Sequence, residues 1–514
     1  MKNIAKKFLV CTLLVFMLAG CGSEGNKQTP GGKLTLSIFL FDLVPFNDDY
    51  PIYKKAEELT EVSIKGILSQ RTSDGFTALN LMISSGNLAD IIHMTAHANG
   101  RNDFYRLGTE GVLVPLNEYI ESNAPNFKKF LEERPDVKKY ITAPDGNIYY
   151  IPFVPDGTAS KGWFIRKDWL DKLGLGTPQN IDEFYQVMKA FKERDPNGNQ
   201  IADEVPYFSR DAAVGRETAV TDLFSFWNVN KSFMLRDDTV VYSPLLPAFK
   251  EAVKTVSAWY KEGLIDNEIY TRGSNAREYM LGNNLGGITH DWFPSTAEYN
   301  TKLRDQIPGL DFVPFVPIQG SDGVRREMDS RNQASDSGWG ISSSNKHPDA
   351  TIRWMDFWFS EEGSRLMNYG IEGEDYDIID GKPVFKEEVL QSSQNVADYL
   401  KARGAQGNVG FHQDINYELQ WTNAIALKGI EEYTNGGYIQ KKLPALVFNQ
   451  QEQNEYDVII KGVESYRDEM LQKWILGSEN IDETYDAFIA ELKNRKVDRL
   501  VEIQQEAYER YREK

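Results

Sequence analysis

The feature that most constrains this chain is an alternation of periods that begins at Lys33. Lys33-Leu34-Thr35-Leu36-Ser37-Ile38-Phe39-Leu40 switches between apolar and polar residues with the two-residue period of a strand. Tyr53 to Thr60 then carries helical spacing, and Val62-Ser63-Ile64-Lys65-Gly66-Ile67 returns to the strand period. Phe76 to Ser84 reads as a second helix and Ala89-Asp90-Ile91-Ile92-His93-Met94 as a short buried strand. Strands that alternate with helices imply a parallel sheet covered by helices, an α/β fold. Ligands of such sheets gather at the C-terminal ends of the strands. The segment Phe41 to Phe46 follows the first strand, which makes Asp42 and Phe46 candidate binding residues.

The residues before Lys33 set the compartment. Lys2, Lys6 and Lys7 precede an apolar run from Phe8 to Leu18, and small residues close it, the order of an export signal. The run is about ten residues, too short to span a bilayer core of ~30 Å as a helix. Leu18-Ala19-Gly20-Cys21 resembles the lipobox of bacterial lipoproteins. That resemblance implies that residues 1–20 are removed and that Cys21 is acylated. Residues 21–32, polar and Gly-rich, then form a flexible tether. Loss of residues 1–20, with three lysines and no acid, takes the formal charge from −19 to −22. So acidic a chain is a poor partner for nucleic acid. The two cysteines are Cys11 and Cys21, so the exported body is expected to have no disulfide and to rely on a large core, to which a bound metal could add. A body of this length implies two lobes or more. The 12% share of aromatic residues serves either that core or stacking on a ligand.

Further along, Trp163-Phe164-Ile165-Arg166-Lys167-Asp168 runs into a helix that stops at Gly174, a residue suited to the left-handed position after a helix. Asn180-Ile181-Asp182-Glu183 has the form of a capping box. Ile181, Phe184, Tyr185, Met188 and Phe191 line one face of the helix that follows. Glu251 to Gly263 is another helix, Tyr279 to Thr289 a helix and strand, and Ile341 to Phe359 a strand and helix. From Glu372 onward the pattern is mainly helical, with a last helix starting near Ser478 that carries Tyr485, Phe488, Ile489, Leu492, Leu500 and Ile503. In this order the segments resemble the extracellular solute-binding proteins of bacterial ABC importers, of the maltose-binding kind.

The resemblance implies a two-lobe, periplasmic-binding-protein-like fold of type II, with hinge crossovers and a largely helical C-terminal part. The boundaries it suggests are 33–157 and 291–333 for the N-terminal lobe, and 158–290 and 334–514 for the C-terminal lobe. It places Trp292, after Gly287-Ile288-Thr289-His290-Asp291, where relatives stack an aromatic ring on sugar, with Asp291 beside it. Trp163 and Arg166 at the start of the second lobe, Trp339 at the return crossover and Arg331 complete the expected cleft, with Asp42 and Phe46. Trp227 and Trp421 are expected in the core.

Asp195-Pro196-Asn197-Gly198-Asn199-Gln200-Ile201-Ala202-Asp203-Glu204 places oxygen-bearing side chains at positions 1, 3, 5 and 9, with the Ile201 carbonyl at position 7. This is the first part of an EF-hand-like loop. It departs from that pattern with Gly198 at position 4 and Pro206 at position 12, and Glu204 is the candidate bidentate carboxylate. The loop resembles that of the alginate-binding members of the family, which implies structural Ca2+ held by Asp195, Asn197, Asn199, Ile201, Asp203 and Glu204.

Other chemistries find little support. His93 and His97 have the spacing of a zinc protease, but Met94 stands where the glutamate belongs. The chain has no Gly-Lys-Ser/Thr phosphate loop and no Gly-x-Ser-x-Gly elbow. The expectation is a monomeric, non-enzymatic binder on the outer face of the bacterial cytoplasmic membrane, anchored through Cys21. It delivers an oligosaccharide to the permease subunits of an ABC importer. The alternative is a surface glycoside hydrolase or lyase, whose paired carboxylates must flank a scissile bond. A peptide-binding or signalling lipoprotein is a third.

Overall fold

The structure is a computed structural model that describes residues 33–40, 46–67, 75–94, 101–210, 220–328, 331–392, 394–407 and 409–513. Cys21, the tether, Asp42 and His97 lie outside them. The first sheet has five strands in the order Val62–Gly66, Leu34–Leu40, Ile91–Met94, Gly338–Ile341, Ile151–Pro152. Its first three strands are parallel, as the alternation of strands and helices requires, and Gly338–Ile341 is antiparallel to both neighbours. The second sheet runs Phe312–Phe315, Lys161–Arg166, Gly286–Trp292, Val205–Tyr207. Each sheet has its own apolar core, one around Leu36, Ile91 and Trp339, the other around Trp163, Phe184 and Trp259. The two lobes and the helical C-terminal part agree with the expected fold class.

The lobe boundaries need correction. Phe312–Phe315 was expected in the first lobe but pairs with Lys161–Arg166, Phe312 opposite Arg166 and Phe315 opposite Trp163. Gly338–Ile341 was expected in the second lobe but pairs with Ile91–Met94. The chain therefore returns to the first lobe near residues 331–334 and leaves it again near 422–424. Tyr417 belongs to the first core, whereas Ala426 and Tyr433 pack with Phe293 of the second lobe. Strand periodicity cannot reveal this, because partner choice depends on contacts distant in sequence. One local clue exists: a Cβ at Gly338 would lie 2.2 Å from the Ile151 carbonyl oxygen, so glycine is required where these strands close up.

Several local expectations hold. The helix Lys167–Leu173 ends at Gly174 with φ 68°. The Asn180 side chain accepts from the Glu183 amide. The return bond goes to the Gln179 amide rather than to the backbone of Asn180. The last helix is in fact two, Ile481–Asn494 and Val497–Glu513, broken at Lys496 with φ 66°. They pack on the 26-residue helix Gln450–Ile475, whose start carries a reciprocal capping box between Asn449 and Glu452.

Tryptophan use answers the aromatic question. Eight of the ten are buried, and Trp163, Trp169, Trp339, Trp354, Trp358 and Trp474 are under 2% exposed. Each such ring buries roughly 150–250 Å², worth about 4–6 kcal/mol before entropic costs. A disulfide-free body is held in this way. The other two, Trp292 and Trp421, line one cavity.

Candidate ligand-binding site

That cavity, about 520 Å³, opens between the lobes beside the chain crossings. The strand Gly286–Trp292 delivers Trp292 to its mouth, where the ring is 41% exposed. An exposed tryptophan at the end of an otherwise buried strand leaves a flat apolar face unused by the core. Pro294 and Ser295, in the short helix that follows, line the same wall. From the first lobe come Phe153 and, from the helix Ile415–Trp421, Tyr417, Glu418 and Trp421. The rings of Tyr417 and Trp421 meet edge to face with centroids 5.9 Å apart. Polar groups sit between these faces: Gln413, Gln406, Asn332 and Lys401. No other described residue pairs with the Lys401 ammonium.

Arg331 is the knot of the site. It lies on the second crossing, its backbone amide donates to the Thr158 carbonyl, and its Nη1 donates to the Asp156 carbonyl at 3.0 Å, both on the first crossing. Its Nη2 donates to Glu418 Oε1 and Oε2 at 2.5 and 2.6 Å, just before the third crossing. One guanidinium thus ties together all three passages between the lobes. Arg331 also lines a neighbouring cavity of about 610 Å³ on its other side, with Arg134, Asp156 and Lys441.

The expected cleft residues divide. Trp292 and Arg331 line the cavity. Trp163 does not: it is 1% exposed, packed among Phe184, Phe226 and His290, because it sits mid-strand on the core face. Trp339 is fully buried against Trp354 for the same reason. Arg166 is 1% exposed and closed on Asp168, with its guanidinium over the Trp169 ring. Phe46 packs edge to face on Tyr53 inside the first core. Asp291 is buried behind Trp292 rather than in the cavity wall. Trp421, expected in the core, is a cavity residue. The signal for it was the aromatic pair Tyr417 and Trp421 one helical turn apart around Glu418. Nothing local marked Lys401. His93 is buried on its strand, in line with a structural role.

The loop Asp195–Glu204 is folded around its own oxygen atoms. Asp195 accepts from the amides of Gly198, Asn199 and Gln200, and Asn199 Nδ2 donates to both Asp203 oxygens. Three carboxylates of one sign share this short loop. Glu204 is fully buried, and its Oε2 has no hydrogen-bond partner. Burial, reinforced by the charges of Asp195 and Asp203, holds its carboxyl above the usual range. An unpartnered buried carboxylate oxygen is costly, and a hard cation would satisfy it. Among the described residues no group of three His, Cys, Asp or Glu has the arrangement of a metal site. A cation here would have to draw on Asn oxygens and the Ile201 carbonyl as well, a mixed oxygen set of the kind calcium takes. The set fits the ion.

Two α/β lobes joined by three crossings around an aromatic, polar-lined cavity define a two-lobe binding protein. The model of the family of bacterial extracellular solute-binding proteins matches residues 46–365, and the chain belongs to that family. It is 30% identical over 409 residues to the fructooligosaccharide ABC transporter substrate-binding protein FusA of Streptococcus pneumoniae serotype 4, which covers 73% of this chain and 72% of that protein. It is 23% identical over 400 residues to the lipoprotein LipO of Bacillus subtilis, 74% of this chain and 75% of that one. A solved structure, the alginate-binding protein AlgQ2 without calcium ion, superposes with a TM-score of 0.81 at 40% identity, over 93% of this chain and 98% of that one. Among the described residues no helix is long and apolar enough to cross a membrane.

Proposed function

We propose that this protein is the extracytoplasmic substrate-binding component of a sugar ABC importer, and that it holds an oligosaccharide between its lobes. The observation that carries this is that the exposed Trp292 of one lobe and the partly buried Trp421 of the other line one cavity together with Gln406, Gln413, Asn332 and Lys401. Aromatic faces combined with hydrogen-bonding groups in one cavity suit a pyranose or furanose ring. A ligand that touches both walls favours the closed state, because only that state makes both sets of contacts. The closed form docks on the permease. FusA and AlgQ2 support the sugar class by their named ligands. Both oxygens of Glu418, a carboxylate in the wall, accept from Arg331 Nη2, which supports binding over hydrolysis.

Three finer points belong to the same reading. Cys21 carries a lipid anchor that holds a monomer at the outer face of the membrane, in keeping with LipO. Calcium binds the loop Asp195–Glu204 and has a structural role: Asp195, Asn197, Asn199, Asp203, Glu204 and the Ile201 carbonyl hold it. The ion supplies charge compensation for the three carboxylates.

The test is a thermal-shift screen of residues 26–514 with the fructose trisaccharide kestose and with a trisaccharide of uronate units. Ligand that binds only the native form raises the melting temperature. A rise with either sugar, without products by chromatography, is the expected result. Released products, or no response to any oligosaccharide, overturn the reading.

A further inference from the structure

Asp291 stands next to Trp292, yet its carboxylate has no capacity left for a sugar. It is 2% exposed. Oδ1 accepts from Arg210 Nη2 at 2.8 Å and from the Trp292 amide at 2.7 Å. Oδ2 accepts from Arg210 Nε at 2.6 Å and from Arg277 Nη1 at 2.9 Å. A carboxylate offers about four lone-pair sites, and all four are used. None of Asp291, Arg210 and Arg277 lines the cavity.

The partners show what the cluster does. Arg277 Nη1 also donates to Ser295 Oγ at 3.1 Å and Thr296 Oγ1 at 2.7 Å, in the helix that follows Trp292. At the next residue the Phe293 amide donates to the Ser160 carbonyl, and the Phe293 ring is fully buried. The chain turns from strand to helix at Trp292, and this corner is pinned on both sides of the exposed ring. Bidentate arginine–carboxylate pairs fix direction as well as distance.

We infer that Asp291, locked by Arg210 and Arg277, is a positioning residue that holds Trp292 and its wall of the cavity toward the ligand. The inference rests on the sugar-binding reading above. A preformed wall spares the ligand the cost of ordering an aromatic side chain at the moment of binding. Loss of the clamp leaves the ring present but free to swing away.

A double-mutant cycle tests this. Calorimetric titrations with kestose and the uronate trisaccharide are run on the native protein, Asp291→Asn, Trp292→Ala and the double variant. Positioning through Trp292 predicts that Asp291→Asn weakens binding about tenfold in the native background and under twofold once Trp292 is gone. Equal losses in both backgrounds place Asp291 on the sugar itself and overturn the inference. A second readout needs no sugar: acrylamide quenching of Trp292, taken as the difference from Trp292→Phe. Asp291→Asn raises that quenching; an unchanged value overturns the inference. If neither trisaccharide binds the native protein, the sugar reading fails while the quenching still reports on the clamp. Should Asp291→Asn not fold, Arg210→Gln, which removes two of the four bonds from a partly exposed arginine, carries the same measurements.

Discussion

The loop Asp195–Glu204 and the cavity between the lobes are both built from oxygen and nitrogen donors, but they are assembled differently. The oxygen-bearing side chains of the loop come from ten consecutive residues and are held mainly by bonds within the same turn, with Asn197 also reaching the Asn284 carbonyl. The cavity takes Phe153, Trp292, Arg331, Lys401 and Trp421 from five separate stretches, brought together by three crossings. A local site tolerates motion elsewhere in the molecule. An assembled one depends on the joints that align its walls. The two should therefore fail independently, and each variant below asks whether they do.

Glu418→Gln should have the largest effect on stability and sugar affinity together. Arg331 keeps its buried charge and loses its carboxylate, and breaking a buried pair of this kind costs about 3 kcal/mol. The melting temperature and the sugar affinity should fall together, since the tie between the second and third crossings is lost. The response to calcium should stay as it was. Loss of calcium response in Glu418→Gln would break the comparison. Calcium comes next. At a hundredfold excess over its dissociation constant, an ion that binds only the native state adds about 2.7 kcal/mol. Chelation of the native protein should lower the melting temperature by the matching amount, and Glu204→Gln should abolish that difference without touching sugar affinity. A native protein indifferent to chelator would leave the loop as a plain Asn-Gly turn.

Trp292→Ala follows. The residue is 41% exposed, so its removal should lower the melting point of the free protein far less than removal of a core tryptophan. Affinity should drop by about 2 kcal/mol, roughly thirtyfold, the loss expected for one aromatic anchor. Trp163→Ala offers the reverse signature: a buried ring of that size costs about 3–5 kcal/mol of stability when truncated, with affinity lost only through unfolding. Sugar titration and thermal melts on the two variants separate a cavity tryptophan from a core one.

The contrast also explains what could be read from the sequence. The loop was legible as a tight turn because its bonds are local: Asp195 accepts from the amides of Gly198, Asn199 and Gln200. The first three parallel strands were legible from the change of period between Leu34 and Met94. Trp292 came from position within a family pattern. Trp163 and Trp339 misled, because a tryptophan at a strand carries no local sign of which face it takes, and both point into sheets that bury them. The lobe assignment of Phe312–Phe315 and Gly338–Ile341 depended on pairing across more than a hundred residues. Lys401 and Trp421 reach the cavity only because the chain returns to the first lobe at its second crossing, near residues 331–334, and no spacing rule reports that.

The smallest expected effect tests the strand behind the cavity. Successive side chains of a strand point to opposite faces, so His290 looks away from Asp291, into the core. There its Nε2 stands 3.0 Å from Glu327 and its Nδ1 3.4 Å from Asp222, with Trp163 against the ring. Burial opposes the imidazolium, but the charges of Glu327 and Asp222 outweigh it and hold the pKa well above 6.5. Asp222, despite its own burial, is held below the usual carboxylate range by the charge of His290, with Lys161 adding to this. A raised histidine contributes stability that is complete below its unfolded pKa and is lost as pH rises through the folded one. A depressed carboxylate contributes stability above its unfolded pKa that is lost as pH falls through the folded one. The trio therefore supports the second lobe across neutral pH and weakens on the alkaline side through His290. Denaturant melts from pH 6 to 9 should show native stability declining relative to His290→Gln as pH rises. Chelator-induced loss of stability at the distant loop should change little over the same range, and a parallel decline there would mean that the two sites share more of the second lobe than their hydrogen bonds show.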